Sequence, residues 1–491
     1  MASSLDVGLE KLLGRISTDP AERRNLFWVT ISSLMYGTGA TLFGGELWSA
    51  FLERSGFNMQ DIGWISSANL LATAIGLLVF MGLGDSIRNR VRTTAIFIAV
   101  TALFPVATVG VALIPRVALP LSGFLLALVT LGVLQCLTNS IPVMLDYPIW
   151  ARALTPGVRG RLFGFTTLSF GLPGILVGYF AAELLKGIPY PMGYGWCFLA
   201  ASVAIVLRAT AYSRVRELPA LAVAGASTSP LPFASILRVL KLKEFQWLAG
   251  PHVVRGLTMS IIGFSVPLGL KYLHMPEHYP GYAASATTIA TVLGGLAVAL
   301  FADRLGAAWA TLIGDALYAA GMATVVLLGG NPTAFLLLYF LTQFGRNVED
   351  NTVPLGAINT VPAEHLGAFS AARLMILMGT NAIGAPIFGQ LFDGGHYVLV
   401  FGLGALLKLG SGFWFWYVFR LKPPARVQAV VGVNGRAARE AEIGQLCRHC
   451  ESRIEAGQRV CACANCNTVY HEQCWLDHSG CTTEECLSRQ P

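Results

Sequence analysis

The stretch Met81-Gly-Leu-Gly-Asp-Ser-Ile-Arg-Asn-Arg-Val-Arg92 decides how the chain is read. It is a polar turn with three arginines, set between two apolar runs that are each long enough to cross a bilayer. A weaker copy, Leu300-Phe-Ala-Asp-Arg-Leu-Gly306, lies between two further runs in the second half of the chain. A polar hinge that recurs between apolar segments predicts a membrane protein built by internal duplication.

Composition agrees. Of 491 residues, 54% are hydrophobic and 12% charged, against roughly 25% charged in soluble domains. The mean hydropathy is +0.60. A formal charge of +7 needs no nucleic acid, because Lys and Arg collect in cytoplasmic loops of membrane proteins. No basic patch interleaved with aromatics is present, so nucleic-acid binding is set aside. Residues 1–25 carry Glu10, Asp19 and Glu22 and lack the pattern of a secretory signal, so the first span is expected to act as its own insertion signal.

Counting runs of about 20 residues predicts twelve spans, at 26–51, 60–83, 93–115, 118–146, 161–185, 194–213, 246–272, 283–302, 308–329, 332–360, 367–391 and 397–419. Arg88, Arg90 and Arg92, then Arg152, Arg159 and Arg161, then Arg214, Arg216, Arg238, Lys241 and Lys243 fall in alternate loops. That bias predicts both termini in the cytoplasm of a cell with the protein in its plasma or inner membrane. The longest connection splits the spans six and six. Its Phe233–Phe245 part has the apolar spacing of a helix lying on an anionic leaflet. The halves also repeat landmarks: Asp85 and Asp303, Thr155-Pro156 and Val361-Pro362, Gly171-Leu-Pro173 and Gly384-Ala-Pro386.

Six plus six spans, a long central loop and an Asp-Arg-x-Gly hinge after the second and eighth spans resemble the major facilitator superfamily over about residues 26–420. The family's hinge reads roughly G-x-L-a-D-R-x-G-R-R. The first copy keeps Leu83, Asp85 and Arg90 but has Met81, Ser86 and Arg88 where the family has Gly, Arg and Gly. The second keeps Asp303, Arg304 and Gly306 and lacks the trailing basic pair. The Gly/Pro signature of drug antiporters is met only in part, at Gly171, Pro173, Gly174 and Gly178. The resemblance implies a gate of Asp85, Arg90, Asp303 and Arg304, with Asp85 capping the start of the eleventh span near Leu366-Gly367. The physical basis is a carboxylate meeting unpaired N–H groups and a positive helix end.

It also implies a central cavity lined by the first, fourth, seventh and tenth spans. Ionisable residues within the membrane are costly and point to function or to internal pairing. The tenth span is richest, with Gln343, Arg346, Glu349, Asp350 and Asn351. Arg346 shares a helix face with Glu349 and Asp350, and pairing with one leaves a surplus carboxylate as a proton or cation site. Glu46, Asn139, Asp146 and Arg255 are further substrate or proton candidates, with Gln135, His252, Arg373 and Lys408 also at depth. Trp48 and Trp150 read as interfacial anchors. No G-x-x-x-x-G-K-[ST] loop is present, which argues against a primary ATP-driven pump; no enzymatic activity is expected.

After Arg426 the composition changes. Eight of ten cysteines lie in the last 45 residues, seven of them with one histidine in the pairs Cys447-x2-Cys450, Cys463-x2-Cys466, His471-x2-Cys474 and Cys481-x4-Cys486. Four ligand pairs suffice for two tetrahedral zinc ions, and so short a segment takes its folding energy from metal. The order of pairs around Tyr470-His471-Glu-Gln-Cys474-Trp475 resembles the prokaryotic RING-finger family. That resemblance implies cross-bracing, with Cys447, Cys450, His471 and Cys474 on one zinc and Cys463, Cys466, Cys481 and Cys486 on the other. Cys461 is spare, and His449 and His478 are bystanders. Such modules dock partner proteins.

The predicted fold is an all-α membrane protein: twelve transmembrane helices in two pseudo-symmetric six-helix bundles, plus a small cytosolic zinc-binding domain. The expected segments are a cytosolic 1–25, bundles at 26–213 and 246–420, a central loop at 214–245, a linker at 421–446 and the zinc module at 447–486. The expected activity is secondary transport of a small solute in the bilayer. The alternative is a membrane-anchored sensor or scaffold that signals to a cytosolic partner through the zinc module.

Overall fold

A computed structural model of the protein describes residues 19–81, 87, 89–115, 117–153, 156–217, 239–327, 331–360, 366–421, 436–438, 442–463 and 468–477. Helix α1 (Pro20–Leu42) opens with Pro at its first position and with Asp19 as cap, the carboxylate accepting from the Ala21 N–H at 2.8 Å. It continues into α2 (Gly45–Arg54) through a bend at Phe43-Gly44. There follow α3 (Met59–Met81), α4 (Arg90–Thr101), α5 (Leu103–Ala112), α6 (Leu121–Ala153), α7 (Pro156–Gly187) and α8 (Met192–Tyr212). The second half has α9 (Lys243–Gly263), α10 (Ser265–Lys271), α11 (Tyr279–Leu327), α12 (Pro332–Thr360), α13 (Leu366–Asp393) and α14 (Tyr397–Leu421).

Ten helical stretches among the described residues are long and apolar enough to cross a membrane. This is a multi-pass membrane protein. The two other expected spans, 308–329 and 332–360, are also helical where described, in the second arm of α11 and in α12, but fall outside those ten. Gly306 parts the two arms of α11 at φ 74°, ψ 155°, a conformation open to glycine and hostile to any residue with a Cβ. The last residue of the second hinge copy is thus the point where the helix breaks.

The halves touch along two crossings built from small residues, which let helix backbones approach closely in a membrane. At one, α7 meets α11. A Cβ on Gly171 would lie 2.1 Å from Val292, and one on Gly281 would lie 2.4 Å from the backbone of Ala182. At the other, α3 meets α13. A Cβ on Gly63 would lie 2.5 Å from the Ala385 carbonyl, and one on Gly389 would lie 2.4 Å from that of Met59. The helices bearing the duplicated Gly-x-Pro landmarks, α7 and α13, are the ones that carry these crossings.

Burial differs between the two faces of the bundle. Toward the ends of α2, α8, α10 and α13 one continuous core joins both halves, through Phe51, Phe57 and Phe198 on one side and Phe264, Tyr279, Phe392 and Phe401 on the other. Toward the chain termini the cores are separate. One is formed by Leu26, Ile98, Leu145, Ile149 and Tyr212, the other by Phe245, Val353, Phe369 and Phe415. The halves share one core at the distal face, whereas at the terminal face each has its own, with Leu78 of the first half packed against that of the second.

The tail forms a small antiparallel sheet, β1 (Arg436–Ala437), β2 (Arg459–Ala462) and β3 (Val469–His471), in that order, with Cys461 opposite Tyr470. Helix α15 (Glu472–Asp477) follows. Its apolar content is slight: Tyr470 and Trp475, with ring centroids 5.3 Å apart, pack with Cys447, Cys461 and Cys463.

Candidate functional site

A cavity of about 390 Å³ is lined by both halves. The first half contributes Ser32, Ser33 and Tyr36 from α1, Asp146 and Trp150 from α6, and Arg208 and Tyr212 from α8. The second contributes Thr291 from α11 and Asn347, Asp350 and Asn351 from α12. Of the first, fourth, seventh and tenth spans expected to line it, the first, fourth and tenth contribute side chains and the seventh does not, while the sixth and eighth contribute Arg208, Tyr212 and Thr291. Asp146 accepts from the Tyr212 hydroxyl at 2.7 Å, and its other oxygen lies 3.9 Å from Arg208 Nη2. Trp150, expected as an interfacial anchor, lines this cavity instead. Trp48 is also drawn inward, stacking on Phe51 at 5.8 Å in the distal core, because both indoles sit on the inward faces of their helices.

From Asp350 on the cavity wall a chain of ion pairs runs into the second half. Asp350 pairs with Arg255, and also with Arg346 at 3.7 Å. Arg255 lies 3.4 Å from Glu349, Glu349 2.5 Å from Lys408 Nζ, and Lys408 2.9 Å from Asp315. Asp315 and Lys408 are fully buried. Gly412 makes room for them, since a Cβ there would lie 2.7 Å from that of Asp315. The carboxylate left over when Arg346 pairs within the tenth span meets cations from other helices here. Arg255 and Lys408, from other helices, bring the balance to three cations and three carboxylates among these described pairs. Charges this deep persist only with such partners. His252 is buried beside them, edge-on to Phe415 at 5.4 Å, with neither ring nitrogen hydrogen-bonded.

Glu46 does not line the cavity. It ties the halves together, its Oε1 accepting from Thr287 and Tyr339, each at 2.6 Å. Asn139 is half-buried on α6 and lies outside the cavity lining. Of the gate residues, Arg90 is buried at the start of α4 and Arg304 is exposed. Asp85 and the side chain of Asp303 lie outside the described residues.

A latch of the kind expected for Asp85 occurs at the opposite face. Asp393, at the end of α13, accepts from the N–H groups of Met59 (3.1 Å) and Gln60 (2.9 Å), the first residues of α3 in the other half. Lys271 holds the same carboxylate at 2.9 Å. Nearby, Glu183 of α7 accepts from Tyr282 of α11 at 2.9 Å, and Arg54 approaches Glu277 at 3.9 Å.

Sequence reasoning left out Arg208, Asp315, Tyr36 and Asp393, and gave Lys408 no role. The signal for Arg208 and Asp315 was available, since each is a lone charge in an apolar run. Asp393 reads as a loop residue until the other half is placed against it.

In the tail, the ligand atoms of Cys447, Cys450, His471 and Cys474 all lie within 4.8 Å of one another. This is one of the expected quartets, and it could hold a metal ion. Cys450 Sγ is 3.3 Å from His471 Nδ1, and His471 Nε2 is 3.0 Å from the side-chain amide oxygen of Gln458. That second contact orients the ring as metal-bound imidazoles are oriented. The Ser452 backbone N–H holds the Cys450 thiol down at about 6, whereas burial, then the neighbouring thiols of Cys450 and Cys447, push Cys474 up. Three thiols and an imidazole so crowded suit a soft divalent cation that takes them as thiolates. In the other expected quartet Cys463 is buried in the small core, and Cys466, Cys481 and Cys486 lie outside the described residues.

The sequence profile of the Major Facilitator Superfamily matches residues 248–449. Among solved structures, the nucleoside transporter NupG (D323A mutant) aligns with a TM-score of 0.62 at 13% identity, over 80% of this chain and 99% of that one. The fold is of the major facilitator type. The xylose transporter XylE from E. coli, partially occluded and inward open, aligns at 0.58 and 13%, over 83% and 99%. A bacterial homologue of the human lysosomal transporter Spinster, inward-facing and unoccupied, aligns at 0.55 and 15%, over 82% and 98%. No curated protein matches.

Proposed function

We propose that the protein is a secondary transporter that moves a small solute by alternating access, twelve spans rocking as two bundles about the cavity. The observation that carries this is a solute-sized cavity lined by both halves, together with contacts between the halves at the distal face that can break and re-form. Asp393 on the α3 N-terminus, Glu183 with Tyr282, and small-residue crossings are reversible closures. With both termini in the cytoplasm the terminal face, where the cores are separate, faces inward, as in the inward-facing relatives. Asp85, Arg90, Asp303 and Arg304 then form the cytoplasmic gate that replaces the distal latch when the cleft closes.

In this reading the ion-pair chain Asp350–Arg255–Glu349–Lys408–Asp315 couples transport to a cation, H⁺ first. Protonating one carboxylate would free a cation to re-pair, and the helices with it. Uptake into proteoliposomes should fall when the proton gradient is collapsed; uptake indifferent to the gradient removes the coupling. Residues 447–486 are read as a zinc module with two ions, serving partner docking or regulation.

The metal quartet favours one other reading, a sensor that reports ligand binding through the tail. Deleting 436–491 separates the two. A transporter keeps solute movement, and a sensor keeps binding while losing its output.

A further inference from the structure

We infer that Arg208 is the anchor of the cavity for the carboxylate of a small hydroxy- or amino-carboxylic acid. The inference rests on reading the cleft as a solute site. Arg208 is 8% exposed, and a cation so buried ordinarily ends in full pairing. Here it does not. Its Nε has no hydrogen-bond partner, and its approach to Asp146, at 3.9 Å, is longer than a hydrogen bond. Asp146 is meanwhile engaged by the Tyr212 hydroxyl on its other oxygen.

The guanidinium is oriented all the same. Its carbon lies 4.0 Å from the centroid of the Tyr36 ring, so the face is spent on the aromatic; the Nε is buried, and the terminal Nη groups are the N–H donors this wall can offer. That planar pair matches a carboxylate in two parallel hydrogen bonds.

The opposite wall has the complementary chemistry. Asn347 and Asn351 each spend an amide N–H on a backbone carbonyl, Gln343 at 2.8 Å and Asn347 at 2.7 Å. Their amide oxygens remain as acceptors, next to the carboxylate of Asp350. Acceptors call for hydroxyl or ammonium donors on the solute. One end of such a solute binds the first half and the other end the second, so occupancy draws the halves together.

The test uses the purified full-length chain and three matched pairs: D-gluconate with D-glucitol, L-lactate with propane-1,2-diol, and L-serine with 2-amino-1,3-propanediol. Each pair differs in the carboxylate. At saturation at least one acid should raise the unfolding midpoint by about 3 °C or more while its neutral twin does not. Arg208→Gln should abolish that shift and Arg208→Lys should keep part of it. If Arg208→Gln does not fold, Asn351→Ala should weaken the same acid at least 5-fold in a titration. The inference is overturned if the neutral twins stabilise equally, if no acid stabilises, or if these variants leave the shift intact. Counterflow of the binding acid in proteoliposomes separates the two readings, since binding without exchange leaves Arg208 as anchor and removes transport.

Discussion

Neutralising Asp393 should tilt the molecule toward opening at its distal face. In Asp393→Asn the amide oxygen can still accept one N–H from the start of α3, but the charge facing the helix end is lost. That charge is worth about 0.3–1 kcal/mol at a helix N-terminus, and a weakened cap adds a few tenths of about 1 kcal/mol. The Lys271 partner is 36% exposed and Asp393 25%, so water screens their pairing to well below about 1 kcal/mol. Together the loss is about 1–1.5 kcal/mol, a shift of about 5–10-fold between the two cleft states. Hydrogen–deuterium exchange reads it without labels. The amides of residues 59–62 should exchange faster by that factor. Those of 281–288 should accelerate too, because the α7–α11 crossing parts when the same rigid halves separate. Acceleration confined to 59–62 would make Asp393 a local helix cap, and no acceleration at either segment would refute the latch.

Other expectations follow from the same contacts. Gly389→Ala places a methyl 2.4 Å from the Met59 carbonyl, so it should push exchange at the α3–α13 crossing in the same direction as Asp393→Asn. Lys408→Met strands Asp315 and Glu349 without their shared cation and should destabilise by about 3–5 kcal/mol, read as a large drop in unfolding midpoint. The double variant with Asp315→Asn should recover much of it. Chelation at neutral pH should unfold the tail while leaving the helical signal of the bundle unchanged. Cys447→Ser should remove one equivalent of metal from the purified protein by elemental analysis.

The pieces legible in the sequence were those that local rules dictate. The repeated hinge placed Gly306 at a helix break, and the Gly-x-Pro landmarks marked α7 and α13. The resemblance to a cross-braced zinc module anticipated that Cys447, Cys450, His471 and Cys474 come together, and the fold brings their ligand atoms within 4.8 Å. What misled was treating each span as its own electrostatic unit. Arg346 was paired with Glu349 and Asp350 because they share a helix face, yet Arg255 and Lys408 arrive from α9 and α14 to complete the set. Glu46 was read as a cavity acid, and Tyr339 and Thr287 make it a tie between halves instead.

By itself the sequence determined a multi-pass chain with repeated landmarks and a tail whose Cys/His groups could hold a metal, because spans, hinges and ligand pairs are set by the hydrocarbon thickness, backbone hydrogen bonding and short loop geometry. The tertiary structure alone decided that Asp393 caps a helix of the other half, that six charges from four helices neutralise one another, and that Arg208 faces the cavity without a full partner. Those contacts join residues far apart in the chain, and no local pattern encodes which of two packed helices turns its polar side toward the other.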